Sequence, residues 1–261
     1  MSDNISTNTV FHFTGSIDNL ESILRNDFYP QFCFEDFFGT MASIPNVEKA
    51  IPMVCFCDIP LSQVRKHIKT YGEYAIGLSK EWAIRKRINP VLYTYPNSDF
   101  ANKINSALFT LVEHEKNIQL SETKISEQFI SAIQYIKPYE GRLWRNGKWT
   151  EGKIRFYDER EWRYIPQPKS TKIPVMLKKS DSLGKDYSKS LRELNEAIAD
   201  VKNLHLQFEP KDIRFIIVRN EGEILSMLDK VINIKRDKFL YKDVQILTTR
   251  IISMESIKEN F

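Results

Sequence analysis

The sequence lacks several features that would assign a function directly. It has no run of about 18 or more apolar residues, and its N-terminal stretch is polar, so neither a membrane span nor a secretory signal is expected. It also has no glycine-rich phosphate loop, no internal repeat and no low-complexity segment. We therefore expect a cytoplasmic protein that does not contact a membrane.

Cysteine is scarce, with three residues at Cys33, Cys55 and Cys57. Two of them stand two apart in an apolar strand pattern, and no second Cys or His pair has zinc-ligand spacing. Free cysteine is among the most buried residue types. We expect three reduced, buried thiols and no bound metal.

The composition is that of an ordinary globular protein, with 42% hydrophobic and 28% charged residues in 261. This length is enough to bury a large core, and we expect residues 1–261 to form a single domain. The net charge of +4 permits a polyanionic partner without requiring one.

The N-terminal pattern predicts a strand over 10–15, with His12 and Thr14 on one face. Ser16 or Asp18 then caps a helix that begins near Asn19. Polar side chains at a strand end beside a helix N-terminus suit ligand binding. The alternative for His12 is a hydrogen-bonded core histidine.

A second charged stretch covers residues 156–165. As a strand, it would carry Tyr157, Glu159, Glu161 and Arg163 on one face, because side chains alternate with a period of two. Two carboxylates would then stand side by side with an arginine next in line. The alternative is a solvated, charge-alternating edge strand.

The remaining elements alternate irregularly between strands and helices. Further strands are predicted at 53–57, 71–78, 213–218 and 244–253, with a further candidate at 173–177. Helices are predicted at 61–69, 79–87 and 221–231, and in part of 182–202, while 28–50 is expected to be irregular and 99–137 to form a helical insertion. Without a regular βαβ rhythm, this pattern favours an α+β fold with a largely antiparallel sheet.

Basic and aromatic residues gather between Gly141 and Gly152, namely Arg142, Trp144, Arg145 and Trp149. Exposed rings stack on bases and cations track phosphates, so this stretch is a candidate surface for single-stranded nucleic acid. The alternative is a hairpin that turns at Asn146-Gly147 with the two tryptophans packed across it. Both interpretations hold together if the hairpin tip carries the binding surface.

Six short motifs follow one another along the chain: Phe11-His12-Phe13-Thr14, Asn19-Leu20 with Ile23-Leu24, Phe56-Cys57-Asp58-Ile59-Pro60-Leu61-Ser62, Tyr71-Gly72 with Tyr74-Ala75-Ile76-Gly77-Leu78, Asn89-Pro90-Val91, and Glu159-Arg160-Glu161-Trp162-Arg163. In these motifs the chain resembles the AbiGi family of bacterial abortive-infection proteins. The opening motif is also similar to the start of DarT-like ADP-ribosyltransferase toxins. The first resemblance covers most of the chain, and the second mainly its first thirty residues.

The resemblance implies an ADP-ribosyltransferase-like fold, with a split antiparallel β-sheet core and a helical insertion, acting on NAD through a His–Tyr–Glu set. His12, Thr14, Asn19 and Tyr71 would bind NAD, Tyr71 or Tyr74 would supply the tyrosine of the set, and Glu161 the glutamate. Such a toxin of an abortive-infection system would modify RNA or DNA, held by Arg142, Trp144, Arg145, Trp149 and Arg163.

The residue types agree with that chemistry. Cleavage of the bond between nicotinamide and ribose develops positive charge on the sugar, which a nearby carboxylate stabilises. Glu159 would orient or deprotonate the acceptor. Three alternatives stay open: a noncatalytic antitoxin or binding module with a cognate partner, a metal-dependent nuclease that recruits Asp58, and a scaffolding protein.

Overall fold

A mixed β-sheet lies at the centre of the protein, seen in a computed structural model that describes residues 7–36, 48–117, 125–145, 148–167, 173–178 and 187–260. The strands are β1 Thr9–Thr14, β2 Gln31–Asp36, β3 Glu48–Cys57, β4 Tyr74–Ser79, β5 Asn89–Pro90, β6 Leu92–Thr94, β7 Ile136–Pro138, β8 Glu140–Gly141, β9 Trp144–Arg145, β10 Lys148–Trp149, β11 Ile154–Arg155, β12 Glu161–Tyr164, β13 Leu177–Lys178, β14 Ile213–Val218 and β15 Ile251–Ser253. The helices are α1 Ile17–Asn26, α2 Val64–Tyr71, α3 Lys80–Arg85, α4 Asp99–Asn117, α5 Ile125–Ile133, α6 Tyr187–Ala199, α7 Ile224–Lys235, α8 Tyr241–Thr248 and α9 Met254–Asn260.

The main sheet has the strand order β15-β14-β4-β1-β3-β12-β5, and β2 and β13 also pair with β3. Its pairs are antiparallel except for β14 with β15, which is parallel. Strand β1 pairs with β4 along its whole length but meets β3 only at Phe11 and Cys57. The sheet therefore splits between β1 and β3 beyond this one pair.

Helices cover both faces of the sheet. One face packs on α1, α3 and α7, through residues such as Phe56, Leu20, Trp82 and Met227. The other face packs on α2 and α9 beside Phe11 and Cys57, and on α4 and α5 beside Ile51 and Met53, whereas α6 packs beside Phe34 on the first face. The two faces are thus separate environments, and a side chain's position in a strand decides which it enters.

Local sequence explains how α1 and α2 are bounded. The Ser16 side chain accepts a hydrogen bond from the backbone N–H of Asn19 at 3.2 Å, which caps α1 as expected. Gly72 ends α2 with φ 106°, and a Cβ there would lie 2.3 Å from the Thr14 carbonyl oxygen. Glycine is required at this position both for its backbone conformation and for the close approach to β1.

Several predicted elements are confirmed by the structure. The strands over 10–15, 53–57 and 213–218 correspond to β1, part of β3 and β14. The insertion contains the long helices α4 and α5, although residues 136–138 at its end form strand β7. Strand β9 pairs with β10 as a hairpin, while its turn residues 146 and 147 lie outside the described residues.

Other predictions are wrong. Gln31–Asp36, expected to be irregular, forms β2 because its alternating pattern finds a partner in β3. The predicted strand over 244–253 is instead the end of α8 followed by β15, since Val244 and Leu247 are buried at helical spacing. In the predicted strand over 71–78, Tyr71 is the last residue of α2 and β4 begins at Tyr74. No helix in the described ranges is both long and apolar enough to cross a bilayer.

Candidate functional site

The acidic stretch breaks in the middle instead of running as one strand. Phe156–Glu159 forms a 3₁₀ turn, Arg160 adopts a left-handed conformation with φ 46°, and β12 begins at Glu161. The backbone carbonyl of Arg160 accepts a hydrogen bond from Asp58 N–H at 3.2 Å, which fixes this uncommon conformation. The prediction of one continuous strand is therefore wrong, yet the turn still directs Glu159 and Glu161 to the same cation.

That cation is Lys137, which the sequence analysis missed. Its Nζ lies 2.5 Å from Glu161 Oε2 and 3.2 Å from Glu159 Oε2, with the side chain 7% exposed. The Phe156 ring lies 4.4 Å from the same ammonium group. Burial lowers the pKa of Lys137, but the two carboxylates outweigh burial and raise it well above its ordinary value. Lys137 is therefore charged.

Arg163 holds the other side of Glu161. Its Nε donates to Glu161 Oε1 at 2.7 Å and its Nη1 to the Gln134 carbonyl at 2.6 Å. Its Nη2 lies 3.2 Å from Glu35 Oε1, an ion pair whose angles fall outside hydrogen-bond geometry. Arg163 is fully buried, so it belongs to the protein interior and not to the predicted nucleic-acid surface.

Both oxygens of Glu161 are therefore engaged by buried cations. Burial alone would raise the pKa of the Glu161 carboxyl, but the charges of Arg163 and Lys137 and their hydrogen bonds hold it well below its ordinary value. The Glu161 side chain is 4% exposed. It is therefore a charged member of an internal ion network near neutral pH.

Tyr71 is the tyrosine that accompanies the two glutamates. Its hydroxyl donates to Glu159 Oε1 at 2.5 Å. One turn earlier on α2, the His67 ring lies 4.4 Å from the Tyr71 ring at an interplanar angle of 32°. Burial, then the charges of Lys137 and His12, lower the pKa of His67 to about 4, so it is neutral near pH 7. The i, i+4 spacing of His67 and Tyr71 was a sequence signal for this pair.

These groups line a cavity of about 860 Å³, which we call the acidic-strand cavity. Its walls come from α2, β12 and the 3₁₀ turn before it, and from residues near β5 and β6. The polar and aromatic lining includes Asp58, Lys66, His67, Tyr71, Tyr93, Arg155, Tyr157, Asp158, Glu159, Arg160 and Glu161. The hydroxyl of Tyr93 accepts a hydrogen bond from the backbone N–H of Glu161 at 2.8 Å, which fixes the start of β12.

His12 lies on the opposite face of the sheet. Phe11 and Glu161 are both in register with Cys57, so these three side chains share one face and His12 takes the other. Its ring packs 5.2 Å from Phe28 and 5.8 Å from the Phe56 ring. The Nδ1–H donates to the Cys55 carbonyl at 2.8 Å, because a carbonyl only accepts, and Nε2 is left as an acceptor.

Three of the four residues predicted to bind NAD lie together, whereas the fourth, Tyr71, lines the acidic-strand cavity. His12, Thr14 and Asn19 line a second cavity of about 260 Å³, where the Asn19 amide donates to the Thr14 hydroxyl at 3.0 Å. Burial lowers the pKa of His12, against a smaller raising effect of its bond to Cys55. Neither Glu159 nor Glu161 lines this cavity.

Tyr74 does not reach either cavity. Its hydroxyl donates to Glu223 Oε1 at 2.9 Å, and the Arg219 guanidinium lies 5.1 Å from its ring. Its ring belongs to the core on the His12 face. Of the two candidate tyrosines, the structure brings only Tyr71 to the glutamates.

The Arg142–Trp149 hairpin packs against the body of the protein. The Trp144 and Trp149 rings are 5.2 Å apart and contact Phe34 at 4.6 Å and 6.2 Å. The Arg142 guanidinium lies 5.3 Å from the Trp149 ring, and that of Arg145 lies 5.9 Å from the Tyr71 ring. The rings predicted to stack on bases therefore contribute to the core around β2.

The cysteines follow the expectation in part. All three are free thiols, with Cys57 buried and Cys33 and Cys55 half-buried. Burial raises the pKa of Cys33 to about 12 and that of the other two well above the ordinary value. Within the described ranges, no group of three or more His, Cys, Asp or Glu side chains could hold a metal ion.

The fold and site together define a mixed α/β protein with a split sheet and a buried ion network beside a cavity. Residues 26–219 match a family model described as "Putative abortive phage resistance protein AbiGi, antitoxin". The abortive phage resistance protein AbiGi of Lactococcus lactis subsp. cremoris is 32% identical over 231 residues, which cover 83% of this chain and 91% of that protein.

The chain therefore belongs to the AbiGi family, and the resemblance seen in its motifs is confirmed. No solved structure matches it. The similarity to DarT-like transferases stays a prediction.

Proposed function

We propose that this protein is a noncatalytic antitoxin of an abortive phage resistance system, which acts by binding a cognate toxin protein. The observation that carries the proposal is the state of Glu161, whose two oxygens are held at 2.5 Å by Lys137 and at 2.7 Å by Arg163. A transferase would need this carboxylate to face developing positive charge on a sugar. Here two fixed protein cations neutralise it.

The separation of His12 from Glu161 supports the same proposal. A NAD-cleaving site needs the histidine, the tyrosine and the glutamate around one ligand. His12 and Glu161 side chains enter opposite faces of the sheet and line different cavities. The antitoxin description of the family and the resistance role in the name of the lactococcal relative agree with a binding protein.

The proposal is tested by expressing each gene neighbour of this chain in a bacterial host, alone and together with the chain. We expect one neighbour to arrest growth and the chain to relieve the arrest by forming a complex that survives co-purification. Glu161→Gln, assayed at a temperature where circular dichroism finds it folded, should relieve the arrest equally. Growth arrest by the chain alone, with loss of cellular NAD that Glu161→Gln abolishes, would contradict the proposal.

A second candidate is the NAD-dependent ADP-ribosyltransferase implied by the DarT-like motif. Two observations favour it: the split between β1 and β3, and the grouping of Tyr71, Glu159 and Glu161 around one cavity of about 860 Å³. Ligand cavities commonly span 300–1,000 Å³, so a large part of a dinucleotide fits. Labelled NAD offered with RNA, DNA or total protein separates the candidates, since the antitoxin proposal expects no transfer to any acceptor.

A further inference from the structure

Aromatic rings form a stacked cluster at the mouth of the acidic-strand cavity. The Tyr139 and Tyr157 rings are 5.3 Å apart at an interplanar angle of 28°, and Tyr93 meets Tyr157 edge-on at 5.3 Å. The backbone N–H of Tyr157 donates to the Tyr139 carbonyl at 3.2 Å, which fixes the two residues together. Tyr157 is nevertheless 54% exposed. More than half of Tyr157 is therefore accessible to a ligand, unlike the packed tryptophans of the hairpin.

Two cations share one carboxylate on the lining of the same cavity. Asp158 is shared between Lys66 at 3.1 Å and Arg155 at 2.8 Å. One carboxylate neutralises one charge, so this group keeps an excess of one positive charge. Lys66 and Arg155 are both largely exposed, and their distal atoms are free to reorient toward an anion.

A further cation near the cavity is held by Asp58. Asp58 lies 2.7 Å from Lys80 and 3.9 Å from Arg160, whose side chain lines the cavity. Lys66, Arg155 and Arg160 all line this cavity, so a ligand with negative charge is favoured near them.

Deeper in the cavity, the lining offers acceptors for hydroxyl and amino groups. Glu159 presents a carboxylate held by Tyr71 and Lys137, and the neutral His67 ring has no hydrogen-bond partner among the residues the structure describes. A sugar hydroxyl or an exocyclic amino group donates to such acceptors. The cavity therefore combines an aromatic ring, anion-binding cations and internal acceptors.

We propose that the acidic-strand cavity binds a nucleotide, with its base stacked on Tyr157, its phosphate near Lys66, Arg155 and Arg160, and its sugar toward Glu159. The combination of stacking rings with cations is the means by which proteins hold single-stranded nucleic acids. The volume of about 860 Å³ accommodates one nucleotide and part of a second. A free nucleotide and the end of a single strand share this chemistry. This binding requires neither NAD cleavage nor the toxin partner, so it is tested independently of the proposed function.

The test uses the full chain and two kinds of probe. Binding of AMP and GMP is measured by calorimetry, and binding of a fluorescent ten-nucleotide single-stranded RNA by anisotropy, at low and high salt. We expect Tyr157→Ala to weaken binding about 5- to 100-fold, in line with the loss of one stacked base, and Tyr157→Phe to retain it. Removing both cations in Lys66→Ala/Arg155→Ala should weaken binding and flatten its salt dependence.

Matched controls come from exposed residues elsewhere, Tyr241→Ala on α8 and Arg236→Ala after α7, which should leave binding unchanged. Binding of AMP or GMP assigns the site to free nucleotides, and binding of RNA alone assigns it to a single strand. Either outcome supports the proposal only if Tyr157→Ala weakens binding of that probe. Wild-type protein that binds no probe, or Tyr157→Ala that binds like wild type while melting normally, would overturn it. A Tyr157→Ala variant that loses only toxin binding would overturn it as well and make this a protein-binding surface.

Discussion

Replacing Glu161 with glutamine removes one charge from the middle of the buried ion network. Lys137 would keep Glu159 at 3.2 Å, and Arg163 would keep Glu35 at 3.2 Å and the Gln134 carbonyl. The network then carries two buried cations whose nearest carboxylate has gone. Breaking a buried ion pair by removing one partner costs roughly 3–5 kcal/mol. The remaining carboxylates reduce this cost, so we expect a loss of about 3 kcal/mol in the free energy of unfolding.

A loss of that size is measurable because it is a large fraction of a typical free energy of unfolding of about 5–15 kcal/mol. For a chain of this size it corresponds to a melting temperature lower by roughly 6–12 °C. Urea unfolding followed by circular dichroism gives the free energy, and thermal melts give the temperature. The same variant should keep the far-ultraviolet spectrum of the wild type.

The matched control is Glu140→Gln, which removes a carboxylate from an ion pair with Lys153 at 3.2 Å, where Lys153 is 67% exposed. Exposed pairs contribute about 0–1 kcal/mol, so the control should unfold almost like the wild type. If Glu161→Gln also costs less than about 1 kcal/mol, Glu161 is solvated and the reasoning that excludes it from catalysis fails.

Four further predictions concern Glu161, the cavity-lining helix α2 and the Arg142–Trp149 hairpin. The pKa of Glu161 is lower in the folded than in the unfolded state, so its charge stabilises the fold above the unfolded pKa of about 4.5, and this stabilisation is lost as pH falls. The difference in free energy of unfolding between wild type and Glu161→Gln, measured by urea titration, should therefore shrink below that pH. The pKa of His67 is lowered to about 4, so unfolding binds a proton between pH 4 and 6.5 and wild-type stability should fall as pH drops through that window, a slope that His67→Phe should reduce. Gly72→Ala should lower the free energy of unfolding by at least 1–3 kcal/mol, whereas Gly152→Ala, which meets nothing within 4 Å, should be almost neutral. Trp144→Ala should lower the melting temperature and leave single-stranded RNA binding unchanged, and a loss of binding without destabilisation would restore the hairpin as a binding surface.

Elements set by local sequence could be predicted, and contacts between distant segments could not. Ser16 lies between a strand and an amphipathic helix, so the residues next to it are enough to predict that it caps the helix. Lys137 lies 24 residues from Glu161, inside a segment predicted to be helical, and no periodicity links it to the acidic stretch. Its position depends on where α5 ends and β7 pairs with β6, which is a tertiary outcome.

Arg160 illustrates a different limit. The alternating side-chain pattern on both sides of Arg160 is the same as in a continuous strand. Arginine also has no preference for a left-handed backbone conformation. The break follows from the hydrogen bond between its carbonyl and Asp58 N–H, which joins β12 to the end of β3. A residue pattern read along one segment contains no information about this cross-strand contact.

The position of His12 relative to Glu161 follows from register alone. Phe11 of β1 and Glu161 of β12 each pair with Cys57 of β3. A shift of one residue in either pairing would place His12 and Glu161 on the same face of the sheet. With this register, a ligand that contacted both residues would have to pass through the split between β1 and β3. The His12–Cys55 hydrogen bond spans the two strands at that split, beside the packed rings of Phe28 and Phe56. A single NAD-binding cleft that includes His12 and Glu161 therefore requires the His12–Cys55 hydrogen bond to break. A protein that only binds a partner requires no such rearrangement of the sheet.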